Sequence, residues 1–301
     1  MGERQTKVAM IPGTPAARSF VLLQRLLPQH ALSRLIHAVA RIRVRFIKNA
    51  LIGGFVRGFK PVMSDARQPD PLAYESFNAF FTRELAAGAR PMPPDPLSIA
   101  SPVDGTISQI GYLDGESILQ AKGRQFSLAA LLGGTPVASA QFAGGAFATL
   151  YLAPYNYHRI HMPVAGQLRV TRHIPGKLFS VNAVTAAAVA GLFARNERVV
   201  CVWDGAQQSF AMVLVGALFV GSISTVWHGE ITPPTRRAAR ELGPVTAANA
   251  QLARGEQMGW FNMGSTVILL FPKDRVQWLA NLTAGTSVRV GQTLGQVQAP
   301  G

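Results

Sequence analysis

The residue pair Gly264-Ser265 stands directly before a short apolar run, residues 267–271, and could support cleavage of the chain by itself. Glycine leaves its carbonyl carbon open to attack and tolerates strained backbone. Attack by the Ser265 hydroxyl on the Gly264 carbonyl would convert the peptide bond into an ester. Elimination across the serine Cα–Cβ bond would then break the chain and leave a pyruvoyl group, a ketone, at the new N-terminus. Because Gly-Ser-Thr is also common in turns before strands, this chemistry needs support from other residues.

Two histidines, His158 and His161, lie three residues apart and are candidates for acid–base chemistry. Histidine exchanges protons near neutral pH, and on a helical turn both rings would face one way. A metal pair is an alternative, but no third ligand with suitable spacing is evident, so no metal site is predicted. One structural histidine and one exposed histidine would also explain the pattern.

Asp104 precedes Gly105 at a predicted turn before a strand, and Asp-Gly is a frequent turn dipeptide. The same aspartate could form a triad with a histidine and Ser265. The histidine would take the hydroxyl proton, and the aspartate would orient the ring and stabilise its charged form. The spacing along the chain does not show that the three residues meet.

The elements that must position these residues follow from the hydropathy pattern. The chain has 301 residues, of which 48% are apolar, enough for one large core or two modest ones. From about residue 98, short apolar runs alternate with turn residues, which favours an α+β fold with a mostly antiparallel β core. No glycine-rich nucleotide-binding motif is present. The predicted strands are 105–110, 147–152, 167–170, 198–202, 209–216, 219–226 and 266–271, and the predicted helices are 77–85, 127–132, 183–194 and 236–242.

The first sixty residues hold eleven lysines and arginines and one acid, Glu3, and so carry ten of the fourteen net positive charges. Residues 20–27 are apolar nearly all round, and residues 32–48 fit a helix with an aliphatic stripe opposite a basic face. One-signed basic faces are typical of helices that lie on anionic membranes, although a helix packed on the core is an alternative. A nucleic-acid surface is less favoured, because no aromatic platform accompanies the charge.

The composition changes near residue 65, where a polar, proline-rich stretch begins. We therefore predict basic amphipathic helices that bind a membrane over residues 1–65 and a catalytic domain over residues 66–301. No apolar segment reaches the roughly 18–20 residues that a membrane span needs.

Together these features resemble the bacterial membrane-bound phosphatidylserine decarboxylase family. The family usually has Leu-Gly-Ser-Thr at its cleavage point, and Met263 replaces that leucine with a similar apolar volume. The resemblance extends from about residue 20 and is carried, in order, by residues 104–109, 118–123, 157–163, 175–182, 192–198, 215–217, 220–223, 231–234, 255–259 and 264–266.

The resemblance implies a role for each candidate residue. Ser265 is the nucleophile of self-cleavage and the pyruvoyl precursor, and Gly264 supplies the attacked carbonyl. His161 is the general base of maturation with Asp104 as its orienting partner, and His158 serves the decarboxylation step. The products are a large chain, 1–264, and a small pyruvoyl chain, 265–301.

The resemblance also implies a substrate and a location. The amine of phosphatidylserine would form a Schiff base with the pyruvoyl carbonyl, which takes up the electrons left by CO2, and phosphatidylethanolamine would be released. Arg159 and Lys177 are candidate contacts for the phosphate. The two chains would stay associated, a homodimer is allowed, and the enzyme would lie peripherally on the cytoplasmic side of the cell membrane.

Two other classes remain open at this point. A serine hydrolase acting on lipids could use the same serine, histidine and aspartate, although no Gly-x-Ser-x-Gly elbow is present. A non-catalytic membrane-binding module would make Gly264-Ser265 a simple turn.

Overall fold

The computed structural model describes residues 14–121, 123–134, 139–219, 222–231, 238–243 and 251–298. Parts of the motif stretches above, namely residue 122, residues 220–221 and residues 232–234, lie outside these ranges. No helix in the described ranges has the length and hydropathy needed to cross a bilayer. The helices are α1 (Pro15–Leu26), α2 (Gln29–Ala40), α3 (Arg45–Phe59), α4 (Phe77–Phe81), α5 (Leu128–Leu132), α6 (Ala183–Ala188) and α7 (Leu192–Arg195), with a 3-10 turn at Pro71–Ala73.

Antiparallel sheets make up most of the fold, which confirms the predicted α+β class. The largest sheet has the order β12-β7-β8-β9-β15-β5-β2-β17, and β13 pairs with β7 at its side. Smaller sheets have the orders β11-β10-β14-β6, β1-β18-β16 and β3-β4. The strands are β1 (Ser98–Ala100), β2 (Gly105–Tyr112), β3 (Ser117–Ala121), β4 (Arg124–Ser127), β5 (Ala146–Leu152), β6 (Arg159–His161), β7 (Gly166–Ile174), β8 (Arg198–Asp204), β9 (Ser209–Val215), β10 (Ile223–Thr225), β11 (Gly229–Glu230), β12 (Arg240–Glu241), β13 (Gln251–Leu252), β14 (Gln257–Phe261), β15 (Ser265–Phe271), β16 (Val276–Trp278), β17 (Ser287–Val288) and β18 (Thr293–Val297).

The large sheet is covered on both faces, which explains why β15 is apolar at nearly every position. Val267 and Leu269 enter a core shared with β6, β10 and β14. Ile268 and Leu270, on the other face, enter a core shared with α5, α6 and α7. Alternate side chains of a strand point to opposite faces, so a strand between two cores needs apolar residues at both sets of positions.

The N-terminal region differs from the single helix predicted over residues 32–48. The chain forms α2 and α3 with a break at residues 41–44, where Val44 is extended with φ −60° and ψ 119°. Arg43 and Val44 are the two residues that violate the amphipathic period. A straight helix would place Val44 among the charged side chains, so the break avoids a misplaced apolar residue.

Three other element predictions were wrong in part. The helix predicted over residues 183–194 is divided into α6 and α7 by Gly191, whose φ of 65° is left-handed. Of the helix predicted over residues 236–242, Arg240–Glu241 form a strand that pairs with β7, and residues 236–237 lie outside the described ranges. Of the strand predicted over residues 219–226, Ile223–Thr225 form β10, Phe219 has a left-handed φ of 67°, and residues 220–221 lie outside the described ranges.

Helix α1 buries Gln24 together with Val21. Gln24 accepts a hydrogen bond from the Ser180 backbone N–H at 2.7 Å, and Gln29, at the start of α2, accepts one from the Leu178 N–H at 2.8 Å. The exposed side of α1 and α2 carries large apolar residues as well as arginines. We call the following set the exposed apolar residues: Leu22, Leu23, Leu26, Leu35, Val44 and Phe46, which are between 50% and 75% exposed.

A small aromatic core joins the N-terminal helices to the region that precedes β15. Ile52 of α3 packs in one cluster with Phe77, Phe80 and Phe81 of α4, and Met263 packs against it. The division of the chain at residue 65 stays a prediction.

Candidate active site

Ser265 is the first residue of β15, a central strand of the large sheet. It pairs with Leu152 at the end of β5 and is fully buried. Its Oγ has no hydrogen-bond partner among the described residues. A buried hydroxyl without a partner costs free energy, and such unsatisfied groups in native folds often mark reacting atoms.

The backbone just before Ser265 is strained. Asn262 is held at both ends of its side chain: its amide nitrogen donates to Ser222 Oγ at 2.6 Å, and its oxygen accepts from Asn78 Nδ2 at 3.0 Å. Met263 then adopts a φ of 148°, which L-residues rarely occupy. The strained residue therefore lies between Asn262, which is held by its side chain, and Ser265, which is held in β15, and it directly precedes Gly264, whose bond to Ser265 is the candidate cleavage bond.

His158 lies at the end of the loop that follows β5, close to the start of β15. Its carbonyl accepts from the Phe261 N–H at 3.0 Å, four residues before Ser265. Its Nδ1 lies 2.9 Å from the Asn156 carbonyl and must donate, because a carbonyl only accepts. Nε2 is then a lone-pair acceptor, and it is buried without a partner. Burial lowers the pKa of His158 to about 3, so the ring is neutral at pH 7.

His161 lies on β6 and its ring has partners at both nitrogens. Nδ1 donates to the Gly255 carbonyl at 2.8 Å, and Nε2 accepts from the Tyr157 hydroxyl at 2.9 Å. Burial is the main cause that lowers its pKa. Residues three apart in extended chain point to opposite faces, so the two histidines do not share a face as they would on a helical turn.

Asp104 is held by an arginine and not by a histidine. Arg90 donates to both carboxylate oxygens, Nε to Oδ1 at 3.0 Å and Nη2 to Oδ2 at 2.6 Å. Oδ1 also accepts from the Val290 N–H at 2.8 Å. The hydrogen bond that the resemblance implies between Asp104 and His161 is thus not formed in this structure, because the forked guanidinium matches both carboxylate oxygens at once.

Gly105, next to Asp104, is required by close strand packing. A Cβ at this position would lie 2.5 Å from the Tyr151 carbonyl oxygen of β5. The glycine therefore allows β2 to approach β5 and fixes where Asp104 lies.

A cavity of about 660 Å³ lies beside this region, between the α2–α3 break, residues 67–84 and β6. It contains one of the two predicted phosphate contacts, Arg159, whereas Lys177 lines a different cavity of about 810 Å³ near α2. The residues that line the first cavity are Arg41, Arg43, Arg67, Gln68, Tyr74, Glu75, Ser76, Asn78, Ala79, Thr82, Arg83, Glu84, Arg159 and Trp260.

Comparison with known proteins decides the family. The model described as phosphatidylserine decarboxylase matches residues 77–296, and a second model, described as PSD, matches residues 19–60. The phosphatidylserine decarboxylase proenzyme of Ectopseudomonas mendocina (strain ymp) is 50% identical over 287 residues, which cover 93% of this chain and 99% of the relative. This chain belongs to the phosphatidylserine decarboxylase family.

Other phosphatidylserine decarboxylase proenzymes give the same result. That of Azotobacter vinelandii (strain DJ / ATCC BAA-1303) is 50% identical over 93% of this chain and 98% of its own length. That of Methylococcus capsulatus (strain ATCC 33009 / NCIMB 11132 / Bath) is 48% identical over 95% of this chain and 99% of its own length. The resemblance inferred from the motifs is confirmed.

Three residues of this phosphatidylserine decarboxylase family member were not identified from the sequence. Arg90 holds Asp104, Tyr157 donates to His161, and Arg83 lies buried beside the cavity. Tyr157 could have been found from its position beside the two histidines. For Arg90 and Arg83 the sequence carries no signal, because an arginine after an apolar helix or in a proline-rich loop is usually exposed.

The low pKa of His158 predicts a loss of stability in acid. Since the pKa is about 3 in the fold and 6.5 in its absence, the unfolded chain binds more protons as the pH falls below 6.5. Stability present above pH 6.5 is then lost toward pH 3, by several kcal/mol at about 1.4 kcal/mol per pKa unit.

Urea unfolding of the uncleaved Ser265→Ala chain, with and without His158→Gln, checks this expectation. The His158→Gln substitution should remove much of the stability loss between neutral pH and about pH 4. An equal loss in both chains would show that His158 does not carry the effect.

Proposed function

We propose that this chain converts phosphatidylserine to phosphatidylethanolamine with a pyruvoyl group that it forms from Ser265. The family membership supports the reaction, and the relatives are named as proenzymes. The single observation that carries the proposal is the strained backbone at Met263, two residues before Ser265, whose buried Oγ has no partner among the described residues.

Maturation is proposed to begin at Ser265. Its Oγ attacks the Gly264 carbonyl carbon while His161 takes the hydroxyl proton, and the peptide bond becomes an ester. Elimination breaks the Cβ–O bond, so that Gly264 leaves as a carboxylate and residue 265 becomes an unsaturated amine. Tautomerisation and addition of water release ammonia and leave the ketone.

The contacts of His161 and Asp104 define what this step requires. His161 Nε2 must exchange the Tyr157 hydroxyl for Ser265 Oγ, and Asp104 must exchange Arg90 for the ring if it is to orient His161. We propose that both exchanges belong to maturation. The first replaces one hydrogen bond by another, whereas the second breaks both hydrogen bonds from Arg90 and requires His161 Nδ1 to leave the Gly255 carbonyl.

The surroundings of Ser265 fit a pyruvoyl group. Several buried polar atoms here have no partner among the described residues, including Ser265 Oγ, Thr266 Oγ1 and His158 Nε2. The pyruvoyl carbonyl supplies an electron sink to which the substrate amine binds. His158, neutral and with an unused lone pair, is proposed to take a proton at Nε2 from the substrate's ammonium group as its nitrogen becomes a nucleophile, and to pass this proton to the carbon that has lost CO2.

The large and small chains are proposed to remain associated in one complex after cleavage. The small chain begins with β15, which pairs with β9 and β5 of the large chain. Its last strands also pair with the large chain, β17 with β2 and β18 with β1. Separating the chains would break these ladders and expose the apolar residues of β15. The homodimer stays a prediction.

The exposed apolar residues support binding to a membrane surface. They lie in a region that carries a large excess of lysine and arginine, and such helices bind anionic lipid with their apolar side in the interface. Docking would keep the two acyl chains of the substrate in the bilayer, because exposing each CH2 to water costs about 0.8 kcal/mol.

Substituting two of these residues should weaken vesicle binding. Leu26 and Phe46 are each 75% exposed, and burying a side chain of this size contributes about 1.5–3 kcal/mol. We expect Leu26→Ser with Phe46→Ser to lower the affinity for anionic vesicles about tenfold or more, measured by sedimentation. Leu279→Ser, at an exposed leucine after β16, is the control. Unchanged binding of the double variant would remove these residues from the membrane contact.

The proposed reaction is tested with phosphatidylserine labelled in its serine carboxylate. We expect the protein to release labelled CO2 and unlabelled phosphatidylethanolamine in equal amounts. Release of fatty acid or of free serine, together with inhibition by a serine-directed phosphonate, would identify a hydrolase instead. Binding to vesicles without any product would leave only a membrane-binding module.

A further inference from the structure

Arg83 is a buried arginine whose charge lacks a counter-ion. It is 3% exposed, and its Nε and Nη1 have no hydrogen-bond partner among the described residues. Nη2 makes only long contacts, 3.4 Å to the Tyr155 carbonyl and 3.5 Å to the Asn156 carbonyl. No carboxylate of the described chain lies within salt-bridge distance of it. A buried guanidinium without a carboxylate partner is costly, and an anionic ligand would lower that cost.

The other arginines that line the 660 Å³ cavity differ from Arg83 in having acidic partners. Arg41 pairs with Glu230 at 2.9 Å and Arg43 with Glu75 at 3.2 Å. Glu84 pairs with both Arg67, at 2.8 Å, and Arg159, at 3.1 Å. The cavity wall thus carries an excess of positive charge, and Arg83 is the arginine of that wall that no carboxylate neutralises in the described structure.

Arg83 is also close to the proposed reaction centre. The Asn156 carbonyl that its Nη2 approaches is the acceptor for His158 Nδ1 at 2.9 Å. On the other side, the cavity reaches Arg41 and Arg43 at the α2–α3 break, beside exposed Val44 and Phe46. The cavity therefore connects the lipid-facing helices to the neighbourhood of His158.

We propose that Arg83 binds the phosphodiester of the substrate headgroup, with the cavity as its entry; this inference rests on the proposed function. The guanidinium would turn toward the cavity, give up its two long carbonyl contacts and bind the phosphate by its fork. In phosphatidylserine the amine and the phosphate are only a few bonds apart, so one end can reach Ser265 while the other meets Arg83.

The substrate carboxylate is the other anion that an arginine could bind, and the chemistry argues against it. The carboxylate loses its charge as CO2 departs. An arginine on that group would stabilise the bound substrate more than the transition state and would slow the reaction. The phosphate keeps its charge throughout, so binding there supplies affinity without that penalty.

The test uses the uncleaved full-length Ser265→Ala chain, so its result does not depend on maturation. Binding of sn-glycero-3-phosphoserine, L-serine and inorganic phosphate is followed by NMR titration. We expect glycerophosphoserine to bind more tightly than the other two ligands. Arg83→Gln should weaken the binding of glycerophosphoserine about 10- to 100-fold, the effect expected when charge-assisted hydrogen bonds are lost. It should leave the binding of L-serine unchanged. Arg67→Gln, at an exposed arginine of the same cavity wall, should change the affinity for glycerophosphoserine by about twofold or less.

Four results would overturn the inference. The first is that Arg83→Gln lowers the affinities for glycerophosphoserine and L-serine equally, and the second is that Arg67→Gln lowers the affinity for glycerophosphoserine as much as Arg83→Gln does. The third is that inorganic phosphate binds the Ser265→Ala chain as tightly as glycerophosphoserine. The fourth is that this chain binds L-serine as tightly as glycerophosphoserine. The last comparison needs no variant at Arg83, and Arg83→Lys, which keeps the charge but loses the fork, provides a second variant if Arg83→Gln does not fold. Failure of the proposed function would appear separately, as a wild-type chain that releases no CO2.

Discussion

Ser265→Ala will stay a single chain, will contain no ketone and will release no CO2 from phosphatidylserine. The substitution removes the only oxygen that can attack the Gly264 carbonyl in this mechanism, so the loss is complete and not partial. The side chain of Ser265 makes no hydrogen bond in the described structure. Its removal leaves no partner unsatisfied, and the variant should fold.

A matched substitution separates this effect from a general loss of structure. Ser209→Ala makes the same change at the first residue of β9, the strand next to β15. That chain should cleave at the wild-type rate on a denaturing gel. Full decarboxylation by an uncleaved Ser265→Ala chain would refute the pyruvoyl account.

Substitutions of the two histidines should give two different phenotypes. We expect His161→Gln to slow self-cleavage by about 10²- to 10⁴-fold, the contribution of a positioned general base. We expect His158→Gln to mature but to lose decarboxylation by a similar factor, because the buried Nε2 of His158 carries a lone pair that no described residue uses. Gel densitometry measures the first step, and CO2 release from matured protein measures the second.

His30→Gln serves as the control, because His30 is half-exposed and its Nε2 lies 2.9 Å from the Gly176 carbonyl, in a different part of the fold. It should match wild type in both assays. If His158→Gln fails to mature while His161→Gln matures normally, the two roles proposed here are reversed. If both variants behave as wild type, neither histidine transfers the proton.

The sequence predicted the elements whose patterns are local. The apolar run after Gly264-Ser265 is confirmed as β15, since a strand between two cores must be apolar throughout. The orientation of α1 on the fold was harder to predict, because it depends on hydrogen bonds that Gln24 and Gln29 accept from backbone groups far along the chain.

The contacts within the candidate site could not be predicted without the three-dimensional fold. Asp104 could be identified as a candidate from its turn, but its partner Arg90 depends on how residues 65–104 pack. The His-x-x-His spacing was compatible with one shared face only on a helix, and β6 places the rings on opposite faces. Arg83 follows an apolar helix in the sequence, and only tertiary packing shows that it is buried without a carboxylate partner.

The mass of the small chain from freshly purified wild-type protein tests the central claim most directly. The account predicts a fragment of residues 265–301 that lacks a free amine at its N-terminus and gains the mass of two hydrogens on borohydride reduction, as a ketone does. A small fragment with an intact N-terminal serine, or a wild-type chain that remains whole while it releases CO2, would contradict the account.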